Sequence, residues 1–173
     1  RNEDVYADSY RLLHLSRRWQ AQASDQERQS LHQAMAEIVA KAQERQRNGG
    51  FWAHEYSNAF CTAAMVEGLL AARSTGVAVP DKMLSQAANA LASARSEDGS
   101  FAYGGAARGK PRPGSLKNAS TRMPMCEAAL LALGARDRAL PRARGGVAPV
   151  DVRVALHHVH RAVGRIERER DRL

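Results

Sequence analysis

Aromatic residues and cysteines are scarce in this chain, and long apolar runs are missing. Phe, Trp and Tyr make up 5% of the 173 residues, and only two residues are cysteine. So few aromatics in an alanine-rich sequence favour close-packed helices over a β-sandwich. Cys61 and Cys126 lack CxxC spacing, so we expect buried free thiols ahead of a disulfide or a metal ligand. No stretch approaches the roughly 18 apolar residues that span a bilayer, so no membrane span is expected.

Familiar catalytic and nucleotide-binding motifs are also missing. The sequence contains no Walker loop, no GxSxG elbow, no HExxH zinc motif and no dinucleotide fingerprint. We therefore expect no cofactor and no metal, while the sequence leaves open whether the chain is an enzyme. Nothing in it indicates a cellular compartment. Because the chain begins at Arg1 and ends on a charged run, we expect a fragment of a longer protein.

The formal net charge of +8 comes from the C-terminal part of the chain. Residues 1–107 hold 11 Lys and Arg against 12 Asp and Glu, whereas residues 108–173 hold 15 against 6. Such asymmetry can indicate an anionic partner. In an arginine- and alanine-rich chain, however, solvated helix faces explain it better. Nucleic acid is therefore a disfavoured partner, which would bind through the arginine-rich part.

Two short segments of the sequence resemble each other, and we call them corners because each is expected to turn the chain between helices. Residues 48–52 (NGGFW) and 98–103 (DGSFAY) each combine a glycine with an aromatic residue, 50 positions apart. An apolar helix follows each corner, and these two helices match at an offset of 60, so the second copy has a longer loop. Self-similarity at a fixed spacing is typical of helical repeat proteins.

Hydrophobic periodicity predicts six helices of two kinds. Apolar residues cover a broad arc of residues 4–20 and one side of residues 24–48, 80–94 and 152–166. Residues 59–72 and 125–133 are apolar on nearly every side, so these two helices should be buried. Ser24 and Glu27 form a capping box, and Pro80 and Pro124 suit first turns of helices. Residues 104–119 are rich in glycine, proline and basic side chains, which predicts a long irregular loop.

The alternation of one-sided and buried helices predicts an all-α fold of repeated α-hairpins, forming one domain over residues 1–173. Buried helices belong to an inner layer and amphipathic helices to an outer layer. Such hairpins stack into solenoids or close into rings, because one pair alone cannot bury its apolar surface. The corner aromatics are expected to fill the junctions between hairpins.

The corner at residues 95–103 (RSEDGSFAY), with its Ala/Leu-rich helix, resembles the repeat of the terpenoid-cyclase and protein-prenyltransferase α/α-toroid superfamily. Residues 46–52 (QRNGGFW) resemble the same corner one unit earlier. The resemblance covers residues 30–135 and implies part of a toroid of inner and outer helices around a cavity. The DxDD motif of squalene-type cyclases, their trailing Gly-x-Trp and the zinc-binding run of prenyltransferases are missing. An incomplete ring would pair with another copy or be completed by further C-terminal repeats.

Glu67 and Glu127 are the carboxylates of the two buried helices and occupy the same repeat position. A buried carboxylate needs a partner, because desolvation of the charged form is expensive. We expect each carboxylate to accept hydrogen bonds from the backbone amides of a corner or from an arginine such as Arg122. The alternative places both on a cavity wall as an acid–base or cation-stabilising pair.

The first corner carries a second set of candidates, at the rim where inner helices begin. His54 and Glu55 lie between Trp52 and Tyr56, and Tyr103 follows the second corner. Rim packing is the simpler interpretation, and a ligand contact is the alternative. Basic side chains near the same rim could meet a phosphate, namely Arg108, Lys110, Arg112, Lys117 and Arg122. The trio His157, His158 and His160 is expected on a solvated helix face rather than in a metal site.

These patterns favour a non-catalytic α/α-toroid repeat module that binds a protein or small-molecule ligand at its concave or rim surface. The alternative is a fragment of a cyclase- or prenyltransferase-like enzyme whose catalytic residues lie outside this chain. Fold resemblance alone supports the enzyme interpretation, and fold does not determine function.

Overall fold

Five helices and one short β-hairpin make up the part of the chain that the structure describes. They are α1 (Asp4–Gln20), α2 (Asp25–Arg45), β1 (Ala53–His54), β2 (Tyr56–Ser57), α3 (Ala59–Ser74), α4 (Asp81–Ala94) and α5 (Leu116–Ala132). The two strands pair antiparallel, with His54 opposite Tyr56. The predicted all-α character is confirmed, because each strand has only two residues. None of the described helices is long and apolar enough to cross a membrane.

The computed structural model describes residues 4–21, 24–96, 101 and 116–134, with the backbone alone for residues 116–123. The chain divides into the units Arg1–Pro141 and Arg142–Leu173, and all described residues belong to the first. A single domain over residues 1–173 therefore stays a prediction. The helix predicted at residues 152–166 lies outside the described residues.

Helix α3 is the helix around which the others pack. Ten of its 16 residues are buried. It packs most extensively against α1, then against α5 and α4, and least against α2. Gly68 permits the closest approach to α1, because a Cβ atom there would lie 2.8 Å from the Ser9 carbonyl oxygen. The prediction that this helix is buried on nearly every side is confirmed, with Glu67 as an exception.

Helices α2 and α4 each bury one side, as their apolar stripes predict. The buried residues of α2 are Leu31, Met35, Ile38, Val39 and Ala42. Those of α4 are Met83, Leu84, Ala87, Ala90, Leu91 and Ala94. The remaining faces carry charged and amide side chains, so each helix packs on the protein through a single stripe.

Side-chain caps begin α2 and α3. The Ser24 hydroxyl accepts a hydrogen bond from the Glu27 amide at 3.3 Å, as the capping box predicts. The Glu27 carboxylate, however, pairs with the Arg18 guanidinium at the end of α1. At α3, Asn58 Oδ1 accepts a hydrogen bond from the Cys61 amide at 2.7 Å. This second cap was not predicted from the sequence.

The loop predicted at residues 104–119 ends earlier than expected, because α5 begins at Leu116. Pro124 consequently lies inside the helix, and its predicted place in the first turn is wrong. Glycines and prolines in the loop stop at Gly114, so the residues after it can adopt helical geometry. A proline inside a helix removes one backbone hydrogen bond and costs about 3 kcal/mol, which the packing of α5 must offset.

The first corner turns the chain tightly between α2 and the hairpin. The Arg47 amide donates a hydrogen bond to the Phe51 carbonyl at 2.9 Å, and the Gly50 amide donates to the Arg47 carbonyl at 2.9 Å. Gln46 Nε2 donates to the Met83 carbonyl at 2.9 Å, which ties the corner to α4. Gly50 has φ +86, and a Cβ atom there would lie 2.1 Å from the Gln86 carbonyl oxygen.

Replacing Gly50 should therefore destabilise the protein more than replacing its neighbour. Gly49 has φ +93 but would place its Cβ 3.9 Å from Phe51, so G49A incurs only the backbone strain. We expect G50A to lower the free energy of unfolding by about 1–3 kcal/mol beyond G49A, as overpacking does. Urea denaturation of both variants measures the difference. Equal losses would show that close packing of the corner on α4 is not the constraint.

Candidate functional site

Trp52 anchors the first corner from within the core. Its side chain is 0% exposed. The indole Nε1–H donates a hydrogen bond to the Ala42 carbonyl at 2.8 Å, and the backbone amide donates to Thr62 Oγ1 at 3.1 Å. Thr62 Oγ1 in turn donates to the Asn58 carbonyl at 2.9 Å. Trp52 thus joins the end of α2 to the start of α3, and its role as a ligand contact stays a prediction.

The β-hairpin follows Trp52 directly and turns at Glu55. This exposed glutamate has φ +63, a left-handed conformation that residues other than glycine and asparagine adopt at a cost. His54 and Tyr56 face each other across the turn. The hairpin was not predicted, because two-residue strands have no detectable periodicity and the turn contains no glycine.

Tyr6 of α1 contacts His54 in the hairpin and Phe60 at the start of α3. The ring of Tyr6 lies 5.6 Å from the His54 ring in an edge-to-face arrangement, and 5.9 Å from the Phe60 ring. Tyr10 is one turn further along α1, on the same face as Tyr6. Tyr10 and Tyr56 are 58% and 40% exposed, the large hydrophobic residues with the greatest exposure in the described part. We call these residues the aromatic patch: Tyr6, Tyr10, His54, Tyr56 and Phe60.

Two aspartates of α1 pair with arginine side chains. Arg45 Nη1 is 2.9 Å from Asp8 Oδ2, and its Nη2 is 3.3 Å from Asp4 Oδ2. Arg11 also reaches Asp8, at 4.0 Å. Glu55, at the tip of the hairpin, forms no ion pair with the residues that the structure describes.

Glu67 and Glu127 occupy different environments despite their shared repeat position. Glu67 is exposed, so the expectation that it is buried is wrong. It lies on the one side of α3 that no described helix covers. Glu127 Oε1 accepts a hydrogen bond from Arg95 Nε at 2.6 Å, and the Arg95 side chain is only 10% exposed. An arginine partner is thus confirmed for Glu127, namely Arg95, while the side chain of Arg122 lies outside the described residues.

The two cysteines are free and buried, as predicted. Burial raises the pKa of the Cys61 thiol from 9.0 to about 11, and a side-chain hydrogen bond with Tyr6 opposes this shift. Cys61 therefore stays protonated at neutral pH, and a protonated thiol is a poor nucleophile. The thiol supports the aromatic patch from below through its contact with Tyr6.

Several predicted candidates lie outside the described residues, and the contact predictions that involve them stay predictions. These are Tyr103, Arg108, Lys110, Arg112, His157, His158 and His160, together with the side chains of Lys117 and Arg122. Within the described ranges, no three His, Cys, Asp or Glu side chains are grouped so that they could hold a metal ion.

No family model matches the chain, and no curated protein or solved structure shows significant similarity to it. The site must therefore be interpreted from its own geometry. The sequence pointed to His54 and Glu55, but not to Tyr6, Tyr10 or Phe60. The spacing of Tyr6 and Tyr10 on one helix face was the available signal, and it was assigned to core packing.

The two glutamates should respond differently to substitution. Glu127→Gln removes a charged hydrogen-bond partner from the largely buried Arg95 side chain, which we expect to cost about 1–3 kcal/mol of unfolding free energy. Glu67→Gln at the exposed position should stay within about 0.5 kcal/mol of the parent. Chemical denaturation at pH 7 measures both. Equal effects would contradict the different environments of the two repeat positions.

The thiol of Cys61 gives a pH-dependent prediction. Because its folded pKa of about 11 exceeds the unfolded value of 9.0, the folded state holds the proton more tightly. The contribution of this proton to the unfolding free energy is fully present below pH 9 and is lost as the pH rises towards 11. The unfolding free energy of the parent should thus fall more steeply between pH 9 and 11 than that of Cys61→Ala. Parallel curves from denaturant titrations would refute this.

Proposed function

We propose that this chain is a non-catalytic helical-repeat module that binds a polypeptide partner through the aromatic patch. We further propose that its helices belong to an α/α-toroid, in which α1, α3 and α5 form the inner layer and α2 and α4 the outer layer. Support for the layers comes from the contacts of α3 with α1 and α5, and from the one-sided burial of α2 and α4. The aromatic patch would then lie at the rim, at the start of inner helix α3.

The exposure of Tyr10 and Tyr56 is the observation that carries the binding proposal. Contiguous apolar surface that stays exposed on a folded domain commonly marks an interaction site. Tyrosine is enriched in the cores of protein interfaces, because its rigid ring buries a large area at a low cost in side-chain entropy. Tyr6 and Phe60 are half-buried, and Tyr6 packs against the core.

Several polar side chains of the first corner and of α1 are already hydrogen-bonded or ion-paired within the protein, which supports a non-catalytic role. Around the first corner, Asn58 caps α3, and Thr62 bonds both the Trp52 amide and the Asn58 carbonyl. Asp4 and Asp8 are paired with Arg45. General acid–base chemistry needs a group within reach of a substrate proton, and these groups are already engaged in structure.

Selection from a displayed library of random peptides tests the binding role. We expect enriched peptides to bind the parent chain and to lose most of their affinity for the double variant Y10A/Y56A. Both side chains are exposed, so the double variant should unfold at the same temperature as the parent. The matched control is Q29A/Q33A, which removes two exposed side chains one turn apart on α2.

Peptides that bind the control and the parent equally, but not Y10A/Y56A, would support the proposal. Failure to enrich any peptide whose binding depends on the two tyrosines would overturn it. Equal losses in both double variants would also overturn it, because they would show a general surface effect.

A further inference from the structure

We draw no further inference here: the strongest candidate, the exposed surface of Tyr10 and Tyr56 within the aromatic patch, belongs to the site already described, and nothing in the described part of the chain shows what covers it.

Discussion

The hydrogen bonds of Trp52 and Thr62 are the constraint on which the described structure depends. Through its indole, Trp52 holds the Ala42 carbonyl near the end of α2, and through its backbone amide it holds Thr62 in the first turn of α3. The geometry between a one-sided helix and the buried helix that follows is thereby set by a single residue. Since the other described helices pack around α3, the placement of α3 governs theirs.

The second corner is also joined to a neighbouring helix, but through different side chains. The backbone of Arg95 pairs with that of Phe101 in an antiparallel bridge, and its side chain donates a hydrogen bond to Glu127. The second corner is thus bonded to α5, the helix that follows it. Arg45 lies 50 positions before Arg95, and its side chain instead donates a hydrogen bond to Asp8 on α1, an earlier helix. Glu67 forms no ion pair with the residues that the structure describes. The two glutamates therefore differ in whether a described arginine pairs with them.

Much of this fold could be predicted from the sequence, because periodicity reports burial directly. The one-sided burial of α2 and the all-round apolar character of α3 were both predicted. Glu67 was misassigned, since periodicity cannot show that no neighbour covers one side of a buried helix. The start of α5 was missed because glycine and proline content marks a loop but not its last residue. The aromatic patch was missed because Tyr6 and Phe60 are distant in sequence, and only the tertiary fold brings them together.

Trp52 and the hairpin of the aromatic patch follow each other in the chain, so the bonds that stabilise the fold also hold part of the proposed binding surface. Trp52 is fully buried, whereas Glu55, three residues later, is exposed at a strained turn. A strained turn persists only where its flanking residues are held firmly. Here the flanks are Trp52 on one side and the Asn58 cap of α3 on the other, both fixed by hydrogen bonds. The same bonds that orient α3 therefore hold the turn rigid, so a partner would meet the hairpin already in place and little ordering entropy would be lost on binding.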